Sequence, residues 1–385
     1  MMTTEQCQWS AEKSWQPAPS STRLGAAAQV VFLFGGATLL QKSGGLEPLR
    51  KAYPNAHLFG CSTAGEIQGN GIRDDTIGLT AVAFQRTRVA AARARIESAA
   101  GSFAAGQALA RQLPAEGLRH VFVLSEGLRL NASELVKGLN SVLPEGITIS
   151  GGCAGDGNRL EKTHVWCNGE PEESVAAALG FYGEGLRVGV SALGGWKPFG
   201  PEWLITRSKQ NVLYEMNHRP ALALYKQYLG RFARGLPASG LMFPLELRAG
   251  HDGERVLRAL LAVNEEEQSI TFAGDVPEGV RARFMLGQIE DLIEGSRQAA
   301  ADSLERLGTA PGPAGSQLSV LVSCNGRRFV LKQRTDEEID AAREALGAMA
   351  TLTGFYSYGE MAPARAGSHC ELHNETMTIT SFAEV

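Results

Sequence analysis

The feature that most constrains this chain is a unit that occurs three times: strand, helix, strand, then a tight small-residue turn closed by glycine and an acid. Leu58-Phe59-Gly60-Cys61-Ser62-Thr63-Ala64-Gly65-Glu66-Ile67 is the fullest copy of the turn. Ile147-Thr148-Ile149-Ser150-Gly151-Gly152-Cys153-Ala154-Gly155-Asp156-Gly157 repeats it, and Gly354-Phe355-Tyr356-Ser357-Tyr358-Gly359-Glu360-Met361 is a looser third version. An apolar run precedes each turn, at 30–35, 120–127 and 318–326. The spacing predicts a helix over 131–143 in the second unit, with Asn131 and Glu134 placed as a capping box, and one from Thr335 to Ala350 in the third, with Thr335 and Glu338 placed likewise. Further strands at 76–84 and 376–382 follow the first and third turns, so the two ends of the chain read as diverged copies.

Short apolar runs without alternation, separated by helices, indicate strands buried on both faces, and a strand-helix-strand crossover within one sheet is parallel and right-handed. The expected fold class is therefore α/β: two domains of repeated strand-helix-strand units with helix-covered, mixed, largely parallel sheets. A chain of 385 residues, 44% hydrophobic, exceeds one ordinary core. Residues 1–26 are polar and rich in Ser, Thr and Pro, and read as a loose arm. The turn-rich 194–201 segment and a helix starting at Pro220 and stopping at Gly230 place a division near residue 217, giving domains 27–216 and 217–385. The 308–316 segment reads as a short loop before the third unit.

A net charge of −4 with both signs interspersed, and the lack of a basic or aromatic-basic stripe, weigh against nucleic acid as a partner. The first 25 residues have no signal-peptide core and no run approaches a membrane span, so the expectation is a soluble, cytoplasmic protein without a membrane partner. Six dispersed cysteines without a C-x-x-C pair fit reduced thiols.

The three turns, the 124–128 segment, Pro220-Ala221-Leu222, Phe243-Pro244-Leu245, Ser323-Cys324-Asn325-Gly326-Arg327 and the 372–378 segment together resemble the FIST N and FIST C sensory domains, from about residue 28 to 385. The resemblance implies a sensor of small ligands. One branch of that family, the stand-alone nitric-oxide-sensing haem proteins, acts on histidine kinases and cyclic di-GMP enzymes; the chain shows no fused kinase, methyl-accepting or cyclase segment, as in that branch. It implies noncovalent haem as cofactor, nitric oxide as signal, and a separate histidine kinase or cyclic di-GMP enzyme as partner. The alternative is a haem-free sensor of an amino-acid-like metabolite.

Ligands of open sheets settle beyond the carboxyl ends of strands, where the three turns are expected. Gly65, Gly155 and Gly359 permit close backbone approach, and no turn has the Lys-Ser/Thr ending of a phosphate loop. Glu66, Asp156 and Glu360 could converge on an amine or metal; capping a helix or accepting hydrogen bonds within their own turns is the favoured reading. Arg327 and Arg334 could hold a ligand carboxylate, or serve an internal acid. For haem the first candidate axial ligand is His373, followed by His251 and His218; His57 and His120 look like edge residues at strand starts. Gly60-Cys61-Ser62-Thr63-Ala64 only approximates a nucleophile elbow, with Ala in place of the second Gly and a turn in place of the following helix. A Ser62 or Cys61 hydrolase is thus a minor alternative, and the protein is expected not to be an enzyme.

Overall fold

A computed structural model describes residues 2–249, 253–308 and 316–385. The three units are there. In each, two strands run parallel across a crossover: Val30–Gly35 with His57–Cys61, Leu118–Ser125 with Thr148–Cys153, and Gln317–Cys324 with Thr351–Ser357. The return strand, Thr76–Ala83, Val175–Tyr182 or Met377–Glu384, then pairs antiparallel beside the first. A further antiparallel strand follows: Thr3–Ser10, Arg88–Arg95 or Leu186–Leu193. The sheets are mixed as expected, but in each only the crossover pair is parallel.

The remaining strand of each sheet comes from another unit. The Glu66–Gln68 and Gly71–Arg73 hairpin after the first turn joins the third unit's sheet. The Glu360–Pro363 and Cys370–His373 hairpin after the third turn joins the second's. Val165–Cys167, after the second turn, joins the first's. The exchange is cyclic, and it fuses the two halves of the chain.

All three sheets pack on one core. Successive strand residues point to opposite faces, so Val30, Phe32 and Phe34, then Phe122 and Leu124, then Leu318, Val320 and Val322 form its centre. Aromatic contacts cross every unit boundary: Phe32 with Phe122 at 5.8 Å, Phe34 with Phe355 at 4.8 Å, and Phe181 with Phe382 at 5.0 Å. The outer faces are covered by Glu47–Ala52 in the first unit, by Ser102–Gln112 and Ala132–Asn140 in the second, and by Ile289–Leu307 and Thr335–Leu346 in the third.

The 217 division coincides with no boundary between packing units: residue 217 lies inside the sheet that begins at Lys197, between the Val212–Met216 and Arg219–Pro220 strands. The described residues within 197–286 form a separate antiparallel sheet with the Ala221–Leu229 helix on its own core, and this insert interrupts the third unit between Leu186–Leu193 and Ile289–Leu307. The loose arm is corrected. Thr3–Ser10 is a full strand on Thr76–Ala83, because Cys7 and Trp9, two residues apart, and Trp15 on the paired Ser14–Gln16 strand all find buried places. The cap at Asn131 is present, its side chain accepting the Glu134 N–H. The one at Thr335 is not: Thr335 Oγ1 donates to the Lys332 carbonyl, and Glu338 turns into the core. Most of the 308–316 loop lies outside the described residues.

The pairing registers place Gly60, Gly151 and Gly354 opposite Leu33, Val123 and Leu321, at one equivalent position. A Cβ there would stand 1.7, 1.8 and 1.8 Å from those residues' carbonyl oxygens. Gly354→Ala is therefore expected to lower stability by about 1–3 kcal/mol, the usual range for overpacking, as measured by urea unfolding. Gly279→Ala is no comparison because its φ is +80°, whereas Gly101, with open space around its Cβ, is the control and is expected to be nearly neutral.

Candidate functional site

The turns meet at one end of the shared core, and their backbones bond to one another. Ala64 and Tyr356 exchange bonds with the Tyr356 and Gly65 carbonyls, each 2.8 Å. Cys153 N–H donates to the Gly359 carbonyl, and Gly155 N–H to that of Ser62. Beside this ring opens a cleft of about 880 Å³. The first unit supplies Gly36–Leu39 at the start of its Ala37–Lys42 helix, Ser62–Glu66 of its turn, and Asp74 and Asp75; the second supplies Asp156, Arg159, Glu161, Lys162 and His164; the third supplies Asn325, Arg328, Phe329 and Lys332.

Two turn carboxylates share one architecture. Glu66 Oε1 accepts from Thr63 Oγ1 at 2.5 Å, and Oε2 from the N–H and Oγ1 of Thr76 at 3.3 and 2.8 Å. Glu360 Oε1 accepts from Ser357 Oγ at 2.6 Å, and Oε2 from the N–H and Oγ1 of Thr376 at 3.1 and 2.9 Å. Each ties its turn to its return strand. Both stand six residues after the equivalent glycine, whereas Asp156 stands five after Gly151, so it is not their counterpart. Asp156 accepts instead from Leu160, Glu161 and Lys162 N–H at 2.8–2.9 Å and from the Tyr358 hydroxyl. Burial works against its charge, but those four donors hold its pKa below the ordinary value. The expectation of helix capping or bonds from the turn's own backbone differs from what is seen: Glu66 and Glu360 accept from a hydroxyl of their turn and from Thr76 or Thr376, and Asp156 from N–H groups that follow its turn.

Arg328 is the best-placed cation. Its Nη1 donates to the Ala64 carbonyl at 2.6 Å and to Asp74 Oδ1 at 2.8 Å, its Nη2 to Asp74 Oδ2 at 2.6 Å. Asn325 Nδ2 reaches Asn158 Oδ1 at 3.1 Å, so the Asn325–Leu331 helix touches both other units across the cleft. The side chains of Arg159 and Lys332 have no hydrogen-bond or ion-pair partner among the described residues, and the same holds for the carboxylates of Asp75 and Glu161. The cleft thus offers free groups of both signs.

Of the residues singled out from the sequence, Gly65, Glu66 and Asp156 line this cleft; Gly155, Arg327, Gly359, Glu360, His218 and His373 do not. Gly155 packs against Ala64, and Gly359 and Glu360 lie where the third turn joins the second unit. Arg327 is fully buried, with Nη2 2.7 Å from Glu338 Oε2, which makes it an internal partner. Arg334 is at the surface with Glu337 and Glu290. His373 is buried, its Nε2 3.1 Å from the Ala362 carbonyl, and desolvation followed by the nearby Arg258 charge lowers its pKa to about 4. It is a strand residue of the exchanged hairpin. His218 is exposed on the insert, its N–H donating to Thr206 Oγ1. His251 lies outside the described residues. His120 is no edge residue: it occupies the core position of Val30 and Leu318, with Nδ1 2.8 Å from Thr148 Oγ1 and Nε2 3.0 Å from Ser150 Oγ, and burial lowers its pKa to about 3. The ionisable cleft-lining positions missed from sequence are Asp74, Asp75, Arg159, Glu161, Lys162, His164, Arg328 and Lys332. One signal was legible, since Asn325, Arg328, Phe329 and Lys332 have the spacing of one helix face.

A haem needs apolar walls on both faces of the macrocycle and an axial ligand aimed between them. Besides glycine, the cleft's apolar residues are Ala37, Leu39, Ala64 and Phe329, among at least five carboxylates and four cationic side chains, and its histidine is the half-buried His164. These residues do not fit haem. No group of three or more His, Cys, Asp and Glu among the described residues could hold a metal ion. Nor is the elbow reading favoured by the local geometry: Ser62 Oγ accepts the His164 backbone N–H at 2.8 Å with no side-chain base bonded to it among the described residues, and burial pushes the Cys61 thiol well up from its ordinary pKa.

Family models for the FIST N domain and the FIST C domain match residues 29–219 and 221–363. The chain belongs to the FIST family. FIST domains are small-ligand sensory domains of signalling proteins, and the boundary between the two matches falls at the Arg219–Pro220 strand of the insert. No curated protein matches this FIST chain. Solved structures with similarity to it include cyanuric acid hydrolase from A. caulinodans, at 8% identity and a TM-score of 0.37 over 100% of this chain and 99% of that one. A second cyanuric acid hydrolase structure has 9% identity and a TM-score of 0.34 over 100% of both chains; PurLQS from Thermotoga maritima has 9% and 0.22 over 100% of this chain and 72% of that one. Among the described residues no helix is long and apolar enough to cross a membrane.

The two tying carboxylates carry a measurable consequence. Burial raises Glu66 to about 7 and Glu360 to about 8, against the hydrogen bonds that favour their charged forms. Between about pH 4.5 and 8 the folded chain therefore keeps protons that the unfolded chain has released, so these groups' contribution to stability falls as pH rises through that window. Urea unfolding of Glu360→Gln is expected to show a shallower decline between about pH 4.5 and 8 than the parent protein; the difference between the two curves cancels the histidine contributions, and parallel curves would contradict the assignment.

Proposed function

We propose that this FIST protein senses a small amphoteric metabolite of the amino-acid class in the cleft where its three units meet, and signals to a separate protein. The observation that carries the reading is the lining itself: the unpartnered side chains of Arg159 and Lys332 on one hand and of Asp75 and Glu161 on the other, around a mouth framed by segments of all three units. A ligand bearing an acidic and a basic group would satisfy both sets, which an apolar macrocycle would not. Glu66 and Asp156 would act as walls, since their oxygens are already engaged by the protein. The role is binding and not catalysis, given the engaged Ser62 and the buried Cys61. The receiver is a histidine kinase or a cyclic di-GMP enzyme, the partner classes implied by the family resemblance.

A thermal-shift screen of amino acids and related zwitterions, followed by calorimetric titration, tests the proposal. Asp75→Asn and Lys332→Ala are expected to weaken a hit about tenfold each, about 1.4 kcal/mol, without lowering stability. Binding that is indifferent to both substitutions places the ligand elsewhere, and a Soret band in protein loaded with haemin, retained in both variants, would restore the haem alternative.

A further inference from the structure

The Asn325–Leu331 helix has two faces with different partners. Asn325, Arg328 and Phe329, with Lys332 just beyond, line the cleft. Gly326, Arg327, Val330 and Leu331 are buried on the other side, where Val330 and Leu331 pack with Trp196, just before the insert, with Met285 of the insert and with Leu292 of the Ile289–Leu307 helix. Adjacent arginines therefore serve opposite faces. Arg328 holds Ala64 and Asp74 on the cleft side. Arg327 donates to Glu338 Oε2 at 3.0 and 2.7 Å, to the Gly194 carbonyl at 2.5 Å and to the Leu292 carbonyl at 2.8 Å.

Gly194 stands where the chain leaves the third unit for the insert, and Leu292 where it has returned. One buried guanidinium thus clamps both crossings. Asp74, by contrast, is 61% exposed, so the Arg328–Asp74 pair is solvent-screened and readily exchanged, whereas a pair buried on both sides is costly to break. We propose that the Asn325–Leu331 helix relays occupancy of the cleft to the insert: an anionic group of the ligand takes the fork of Arg328 from Asp74, the helix shifts on its cleft face, and Arg327 carries the shift to the two crossings at Gly194 and Leu292. A carboxylate or phosphate matches the planar fork that Asp74 fills. The relay rests on the cleft as the ligand site, but the helix's coupling to the insert is a property of the protein alone.

Amide hydrogen exchange of the full chain without ligand tests that coupling. Asp74→Asn and Arg328→Gln loosen the cleft-side contact and are expected to speed exchange about threefold or more at 194–197 and 289–293, besides 62–75. Glu337→Gln, at an exposed pair with Arg334, is expected to leave these segments unchanged. Faster exchange confined to 62–75 and 325–332 overturns the relay, as does an equal effect from Glu337→Gln. Should Arg328→Gln fail to fold, the exposed Asp74→Asn decides. Because no ligand is used, this outcome is separate from failure to find a bound metabolite.

Discussion

The exchange of edge strands around the ring of three units is the constraint on which the rest depends. Each sheet is completed by a segment that follows another unit's turn, so no unit satisfies its own edge. The direction of exchange also fixes where the turns lie. Each must cross from its own parallel pair to the neighbouring sheet, which draws all three to one end of the core and bonds them to one another. The cleft is a by-product of that convergence, open where the first and second turns face the Asn325–Leu331 helix.

Small residues and buried acids make the crossing possible. The glycines at 60, 151 and 354 let a strand approach its partner's carbonyl more closely than any Cβ allows. Glu66 and Glu360 then hold the departing hairpin to the returning strand, through a hydroxyl three residues before them and a threonine at the start of that strand. The second unit lacks a carboxylate at this position. Glu126 serves a related end, accepting from Leu128 and Arg129 N–H and Thr163 Oγ1. The equivalent residues Asp75, Ser174 and Glu375, next to the return strands, share a left-handed backbone at φ 55, 57 and 59°. The pseudo-repetition therefore extends to single backbone conformations, while side chains at those positions have diverged.

Much of this was legible in the sequence because it is local. The three apolar runs, the turn glycines, the return strands and the Asn131 cap are written in spacing and residue type. Partners across the ring are not, since periodicity identifies a strand without naming its neighbour. For that reason His373, legible as a residue beside a strand, could not be recognised as part of a hairpin donated to the second sheet. The one-residue offset of Asp156 hid behind the shared Gly-acid pair, and only strand register separates it from Glu66 and Glu360. Arg327 and Arg328 show the same limit: neighbours of one type, split between a buried clamp and the open cleft by the orientation of a seven-residue helix.

Native-state hydrogen exchange in increasing denaturant tests the interlock most directly. The amides of Ser62, Cys153 and Tyr356 donate to His164, Gly359 and Gly65, each across a different pair of units. If the ring stands or falls as a whole, all three open with the same free energy and denaturant dependence as the central strands Val30–Gly35, Leu118–Ser125 and Gln317–Cys324. An opening of any one of the three well below that common value, with the other two unchanged, would contradict a closed ring and mean that its units are held together only in pairs.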